Sequence, residues 1–296
     1  MSRKNFRVNR KERVFDILNA VFLCLFTLLC IYPFYYMLCY AFSDSTMANQ
    51  GITLYPRGFT LHNFVEVFRL KSLPRAFMVS VFRTFAGCGV TLACCSFFAY
   101  IVSRREMYFQ KLIYRFTVIT MYVSGGLIPT YLVFRAYGLR NTLWVYLLPG
   151  AVNAYYVILM KTFMEQMPDS LEEAATIDGA GIVTCFLRVV LPLSKPILAT
   201  IAVFTMVGQW NSWFDAHIYM TKTQYYPLQY VLYNFLQEAQ RAAAAMQESG
   251  EASGLALTPN SVRMTITAIS TLPILFVYPF MQRYFVKGIM IGAVKG

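Results

Sequence analysis

The chain has 296 residues, of which 57% are hydrophobic, 17% aromatic and 14% charged, with a mean hydropathy of +0.49. A soluble domain carries roughly 25% charged residues, so the deficit excludes an ordinary soluble core and fits a polytopic membrane protein whose outer surface faces lipid. The formal net charge of +12 is read as Lys and Arg at the cytoplasmic ends of membrane helices and against anionic lipid; nucleic acid is excluded as a partner, because no basic stripe interleaves with aromatics in a polar domain.

Residues 1–13 form a basic segment, expected to be a cytoplasmic N-terminus. The apolar run from Ile17 to Phe42 is too long for a signal peptide, and no small-residue cleavage site follows it, so it reads as a retained anchor. A bilayer core needs about 20 apolar residues per helix, and the charged residues divide the chain on that scale. The fold class is therefore an all-α polytopic membrane protein with six transmembrane helices. They lie between Asp16 and Asp44, Arg75 and Arg104, Arg115 and Arg135, Arg140 and Lys161, from Lys195 to near Asp215, and between Arg263 and Arg283. The membrane domain then covers 14–285 and a cytoplasmic tail covers 286–296. With the N-terminus inside, the clusters Arg3–Arg13, Arg104–Arg115 and Lys161–Lys195 share one side with the tail. That bias places both termini in the cytoplasm.

Arg83 sits in the second apolar run. Thr84–Ser103 is already long enough to span alone, so Arg83 is expected to snorkel to the outer surface rather than to occupy the costly bilayer centre. The third span carries Ser124-Gly125-Gly126-Leu127-Ile128-Pro129 and the fourth Pro149-Gly150. Such breaks serve either as packing kinks or as backbone that lines a water-filled path. Of two longer outside loops, 44–74 looks irregular around Tyr55-Pro56-Arg57-Gly58. In 216–262, Leu228, Val231, Leu232, Phe235, Leu236 and Ala239 recur at helical spacing, a face for the membrane or a partner. From Arg241 the composition turns to that of a flexible linker. The seven Cys show no C-x-x-C spacing and the two His, His62 and His217, stand alone, so no disulfide framework or metal site is expected.

The cytoplasmic loop 164–194, between the fourth and fifth spans, concentrates the acidic residues of this chain, with the soluble-looking stretch 168–181 set between two apolar runs. Glu165, Asp169, Glu172, Glu173 and Asp178 are five of its 14 acids. Asp169-Ser170-Leu171-Glu172 and Ser170-Leu171-Glu172-Glu173 both fit a capping box. Leu171, Ala174, Ala175 and Asp178 follow at helical spacing as a small-residue face. Gly179 and Gly181 stop that helix. A second short helix is predicted over 182–190, with Ile182, Phe186 and Val189 on one face and Pro192 as its end. The result is a compact helix-turn-helix knob, or else a well-capped solvated loop.

Glu173-Ala174-Ala175, three residues, Gly179, nine residues, Val189, one residue, Leu191-Pro192: this pattern resembles the EAA loop of ABC-importer permeases, with Val in place of the usual Ile. Leu191–Ala199, Gly208–Phe214 and the tail Tyr284–Gly296 resemble the carbohydrate-import, maltose-permease-like branch, with some likeness to permeases for oligosaccharides from complex polysaccharides. The resemblance implies that the loop is a coupling helix docking into a cytoplasmic ATPase, with Glu172, Glu173, Ala174, Ala175, Asp178, Gly179, Leu191 and Pro192 as the coupling residues. Glu173 would pair with a basic or donor group there, the alanines would permit close approach, and Gly292–Gly296 would reach toward the ATPase pair. The partners implied are two cytoplasmic ATPase subunits, a second permease expected to be a different chain, an extracytoplasmic solute-binding protein, an oligosaccharide and membrane lipid, and the chain is expected in a bacterial inner membrane.

No G-x-x-x-x-G-K-[ST] phosphate loop and no catalytic motif occurs, so the chain is not expected to be an enzyme; ATP and Mg belong on the partner ATPase. For a sugar path, aromatics beside hydrogen-bonding groups single out Trp210, Asn211, Trp213 and Asp215, with Asn153 and Tyr155 as a second group. The alternatives are an interfacial aromatic belt for the tryptophans and helix bridging for Asn153. Two other functions stay open: an ABC importer of a non-sugar solute, and a secondary transporter. The latter usually needs ionisable residues at the midplane, where only Arg83 is a candidate.

Overall fold

The computed structural model describes residues 10–51, 54–69, 72–249 and 260–276. Among these the regular structure is helical, with no strand. They divide into two compact units, one within Met1–Arg69 and Ala239–Ile269, the other within Leu70–Glu238 and Ser270–Gly296.

In the first unit, α1 (Arg10–Ala41) is apolar around its circumference beyond its charged first turns, and the most apolar 18-residue stretch within Arg13–Ala41 has a mean hydropathy of 2.4. Leu18, Leu25 and Leu29 are all exposed, as lipid contact requires of a helix without a polar face. Only its last turns are covered, where Met37 and Ala41 pack with Ala268, beside Phe64 and Met264. Asp44 caps α2 (Ser45–Asn49) by accepting from the Thr46 and Met47 amides at 2.9 and 3.3 Å. The Thr46 hydroxyl, with these amides, holds the Asp44 carboxyl below its ordinary pKa. At the start of α3 (His62–Arg69), the buried Asn63 amide donates to Ala41 O and Ser43 O at 3.0 and 2.7 Å and its oxygen accepts from Ser45 at 2.9 Å. One side chain thus satisfies the carbonyls that the end of α1 leaves open.

The second unit is organised by α4 (Ser72–Ser103). Along it follow α5 (Gln110–Tyr122), α6 (Leu127–Ala136), α7 (Trp144–Leu147), α8 (Ala154–Met164), α9 (Ser170–Ile177) and α10 (Ile182–Cys185). A π-helical turn (Phe186–Val190) leads into α11 (Leu191–Leu193), α12 (Lys195–Asn211) and α13 (Phe214–Tyr219). A 3-10 turn (Thr223–Tyr225) precedes α14 (Leu228–Ser249), of which the residues up to Glu238 belong to this unit; residues 260–276 are again helical and join this unit from Ser270.

α4 packs along both α8 and α12. In lipid, apolar side chains gain little by leaving the bilayer, so helices associate through small residues and hydrogen bonds. α4 carries such a stripe: Gly87, Thr91, Cys95 and Ala99, four apart and turned inward. A Cβ at Gly87 would stand 2.8 Å from the Gln209 amide on α12. Thr91 donates to Gly150 O at 2.9 Å, which ties α4 to the Pro149-Gly150 break. Below them, Cys95, Ala99, Tyr100, Val157, Met160, Phe186 and Ile201 form one buried cluster.

The helical class agrees with the sequence, and several details differ. Among the described residues two helices are long and apolar enough to cross a bilayer, Arg13–Ala41 and Ser72–Ser103, or up to four if each of two bent pairs is one span. The pair α5–α6 turns through 117° at Val123–Gly126, and Ile182–Leu193 turns through 80° into α12. The glycine-rich break therefore reverses the chain and is more than a kink. The fourth expected span is two helices, α7 and the 11-residue α8, either side of Pro149-Gly150. The sixth begins in 260–276; its remainder, the tail 286–296 and the first nine residues lie outside the described residues. α14 runs through Arg241 and the four alanines to Ser249, where a flexible linker was expected. Alanine has the highest helix propensity, and it extends the helix here. The face expected to meet the membrane or a partner is already buried at Leu228, Val231 and Leu232.

Two glycines of α4 make the packing testable. Gly87→Ala displaces Gln209 from its charged partner, and the melting temperature in detergent should fall by the equivalent of roughly 2 kcal/mol. Gly89 has open space around it, so Gly89→Ala should stabilise the helix by about 0.5–1 kcal/mol. Equal melting temperatures for the two variants would contradict the close approach of α4 and α12.

Candidate functional site

The polar loop forms a small knob. α9 ends in a Schellman motif: Ala180 N donates to Ala175 O at 2.9 Å and Gly179 N to Thr176 O at 3.0 Å. Gly179 has φ +81°, which an L side chain rarely adopts. The capping boxes expected at the other end are absent. Asp169 is itself helical, and its side chain makes no capping bond. The second helix also departs from expectation. The π-turn inserts an extra residue per turn, so Cys185, Phe186 and Val190 become the buried set while Ile182 is 63% exposed. Pro192 does not end the run; it sits in the first turn of α11, where a missing N–H is tolerated.

The adjacent glutamates Glu172 and Glu173 point in different directions. Glu172 is held by the chain itself, ion-paired to Arg104 just beyond α4 and accepting from the Tyr100 hydroxyl at 3.3 Å. Glu173 is exposed, as are Ala174, Asp178 and Gly179. Ala175 and Leu191 pack against the cluster around Tyr100, whereas Pro192 is exposed. Of the two alanines, only Ala174 is therefore placed for close approach by another molecule. Leu171, Ile177, Ile182, Val183 and Leu187 add exposed apolar surface, Ile177 being 86% exposed. A cleft of about 660 Å³ lies beside them, lined by Arg104, Arg105, Glu165, Asp169, Glu172 and Glu173 among others.

A second cleft of about 270 Å³ lies where α4, α7, α8, α12 and α13 meet. Its walls include Phe134, Tyr146, Tyr156, Phe204 and Tyr219, with Thr91, Asn153, Thr205, Gln209 and Asp215 as polar groups. Arg83 closes one end at 1% exposure, which overturns the expectation of snorkelling. Its Nε donates to Gln209 Oε1 at 3.2 Å, Nη1 to Ser212 O and Asp215 Oδ1 at 3.1 and 3.2 Å, and Nη2 to Gln209 Oε1 and Asp215 Oδ2 at 3.1 and 2.5 Å. All five donors of the guanidinium are used. The Tyr146 ring lies 4.3 Å beneath it, and the Tyr146 carbonyl accepts from Gln209 at 3.1 Å. The buried charge is thereby neutralised and fully bonded, and Arg83 has no donor left for another anion.

The expected pathway residues separate in space. Asn153 and Asp215 line the cleft. Asp215 serves Arg83, and Asn153 caps α8, its oxygen accepting from the Tyr155 and Tyr156 amides at 3.0 and 3.3 Å. Trp210 is 7% exposed and turned the other way, its indole donating to Ser270 O at 2.9 Å with an edge on Phe77. Trp213 stacks on Tyr233 at 4.2 Å, Asn211 accepts from Gln229 at 3.4 Å, and Tyr155 lies exposed beside Tyr156. None of these four lines the cleft. The groups that sequence reasoning missed are Gln209 and Tyr146. Gln209 had a signal, as the polar residue one turn before Ser212-Trp213; Tyr146 had none.

A chain whose described residues are helical, with bilayer-length apolar helices, helix pairs broken in mid-course and a polar knob between them, is a polytopic membrane protein. It belongs to the family of binding-protein-dependent transport system inner membrane components, whose sequence profile matches residues 95–291. It is 36% identical over 287 residues, 97% of this chain and 100% of the relative, to the polygalacturonan/rhamnogalacturonan transport system permease protein YtcP of Bacillus subtilis (strain 168). It is 38% identical to Protein LplC of the same organism, over 96% of each chain. Among solved structures, it is similar to a chain of a bacterial ABC transporter involved in the import of the acidic polysaccharide alginate, with a TM-score of 0.84 and 28% identity, covering 94% of this chain and 98% of that one.

Asp215→Ala leaves the Arg83 charge buried without its counter-ion. Thermal unfolding in detergent should show a loss of about 3–5 kcal/mol. Replacing both partners, Arg83→Met with Asp215→Leu, should lose clearly less, because no uncompensated charge remains. A double variant as unstable as the single one would contradict the pairing.

Proposed function

We propose that the chain is a transmembrane permease subunit of an ATP-binding-cassette importer for an oligosaccharide, and that α9 is its coupling helix. The observation that carries this is the outward face of the knob. Glu173, Ala174, Ile177 and Asp178 stand exposed on a short helix, stopped by Gly179 at φ +81°, in the loop that concentrates the chain's acidic residues. An apolar residue as exposed as Ile177, beside unpaired carboxylates, suits a water-filled docking cleft of a partner and does not suit lipid.

In this reading the chain crosses the membrane six times, with 1–13 and 286–296 in the cytoplasm and the loop 164–194 facing two ATPase subunits. ATP and Mg are bound by those subunits. A second permease chain completes the pathway, and an extracytoplasmic binding protein delivers the sugar. Glu173 takes a basic or donor group of the ATPase, Ala174 allows contact at van der Waals distance, and the Schellman turn fixes the exit of the chain. The exposed faces of α1, α5 and α6 meet lipid and the second permease. The cleft beside Asn153, Tyr156 and Gln209 is the proposed sugar path in this chain. Aromatic walls suit the faces of sugar rings, and amides and hydroxyls suit their hydroxyl groups. The polygalacturonan/rhamnogalacturonan for which the Bacillus relative is named and the acidic polysaccharide alginate of the similar transporter support an oligosaccharide from an acidic polysaccharide as the cargo.

Affinity purification of the chain in mild detergent should recover an ATPase and a second permease. Glu173→Lys, which places a cation where an anion docks, should reduce ATPase recovery at least tenfold while the chain still inserts. Gly179→Val, strained by about 1–3 kcal/mol at positive φ, should weaken it to a lesser degree. Uptake of labelled oligogalacturonides, abolished by Glu173→Lys, separates the sugar reading from import of another solute. Full ATPase recovery with both variants would sink the coupling-helix assignment.

A further inference from the structure

Glu172 precedes the outward-facing Glu173 by one residue and is turned the other way. It binds Arg104, which follows the last residue of α4, and accepts from Tyr100 within α4 at 3.3 Å. The Arg104 guanidinium lies 5.5 Å over the Tyr100 ring. That ring is fully buried and stacks on Phe186 of the π-turn at 5.2 Å, and Phe97 meets Phe186 edge-on at 5.4 Å. One ion pair, one hydrogen bond and two ring contacts thus join α9, the π-turn and the end of α4. The carboxylate is half-buried, with 23% of its side chain accessible, so solvent screens the pair less than it would a surface salt bridge.

The other part of α4 holds the second node. Arg83 lies on the same continuous helix, and through Gln209, Ser212 and Asp215 it grips the end of α12 and the start of α13. No residue of Ser72–Ser103 departs from α-helical geometry. A rigid helix fastened at both places transmits a displacement applied at either one. The break at Ser194, where the chain turns by 80° into α12, makes the sequential route from α9 to the central cleft less direct than the route through α4.

We propose that Glu172 is a positioning residue that locks α9 to α4, so that α4 carries movement of the knob to the Arg83 node beside the central cleft. This rests on the coupling-helix reading, and it assigns the neighbouring glutamates opposite tasks: Glu173 meets the partner, and Glu172 meets the chain's own lever. The lock needs charge and reach together. Aspartate is one methylene too short to reach both Arg104 and Tyr100, and glutamine retains the hydrogen bond and loses the ion pair.

The test uses the complete transporter in lipid nanodiscs, with spin labels at Ile177 of α9 and at the exposed position Ala93 of α4. Distances are measured without nucleotide and after trapping with ATP and vanadate. With Glu172 and Arg104 intact, the pair should give one narrow distribution that is the same in both states, because the two elements move together. Glu172→Gln and Arg104→Gln should each broaden it at least twofold and make it depend on nucleotide. Exchange of the charges, Glu172→Arg with Arg104→Glu, should restore the narrow distribution, which a merely destabilised loop would not do. Narrow, nucleotide-independent distributions in both single variants would overturn the proposal. Failure of the coupling reading itself has a different signature: ATP hydrolysis by the complex would be indifferent to Glu173→Lys.

Discussion

A guanidinium that cannot leave its helix and cannot reach water is the constraint around which the second unit is arranged. Arg83 is among the most buried side chains of the chain, and desolvating such a charge is tolerable only if every donor finds an acceptor. The acceptors come from Gln209, Ser212 and Asp215. The end of α12 and the start of α13 must therefore sit against the middle of α4. Gly87 follows from the same requirement, since a methyl group there would occupy the space of the Gln209 amide. Tyr146 follows as well, its ring beneath the charge and its carbonyl holding Gln209. Four helices meet at one point because one cation has five hydrogens to satisfy.

The central cleft inherits its character from that node. With Arg83 saturated and Asp215 facing it, the opposite charges cancel, and what remains toward the cavity is aromatic and amide surface. For the proposed sugar path, such a lining suits ring faces without strong attraction for any one charge. A path for a moving solute benefits from this, since binding must be weak enough for release. The polar loop shows the complementary arrangement. Glu165 pairs with Lys161 and Glu172 with Arg104, while Glu173 and Asp178 stand on an outward face. A helix of eight residues is too short to be stable by propensity alone. Its shape depends on the inward contacts of Glu172 and Ala175 and on the glycine turn behind it.

Much of this was legible in the residues. The deficit of charge and the length of the apolar runs identify a membrane protein without any coordinates, because a bilayer imposes both. The helix stop at Gly179 could be read locally, since a left-handed cap is decided by the residue that occupies it. The breaks at Gly125-Gly126 and Pro149-Gly150 were visible, although not that the first of them turns the chain through 117°. The pathway residues were the weakest reading. Trp210, Trp213 and Asn211 stand close in sequence to Gln209 and Asp215, but successive helical residues point about 100° apart. Neighbours in sequence therefore face different partners.

The sequence by itself determined the helical class, the membrane setting, the family pattern of the polar loop and the residue that ends its helix, because each depends on composition or on contacts within a few residues. The tertiary structure alone decided that Arg83 is buried, that Glu172 turns to Arg104 while Glu173 stays exposed, and that Trp210 packs against Ser270. Those outcomes depend on pairings such as Arg83 with Asp215, 132 residues apart. A side chain's direction is settled only when the helix that faces it is in place.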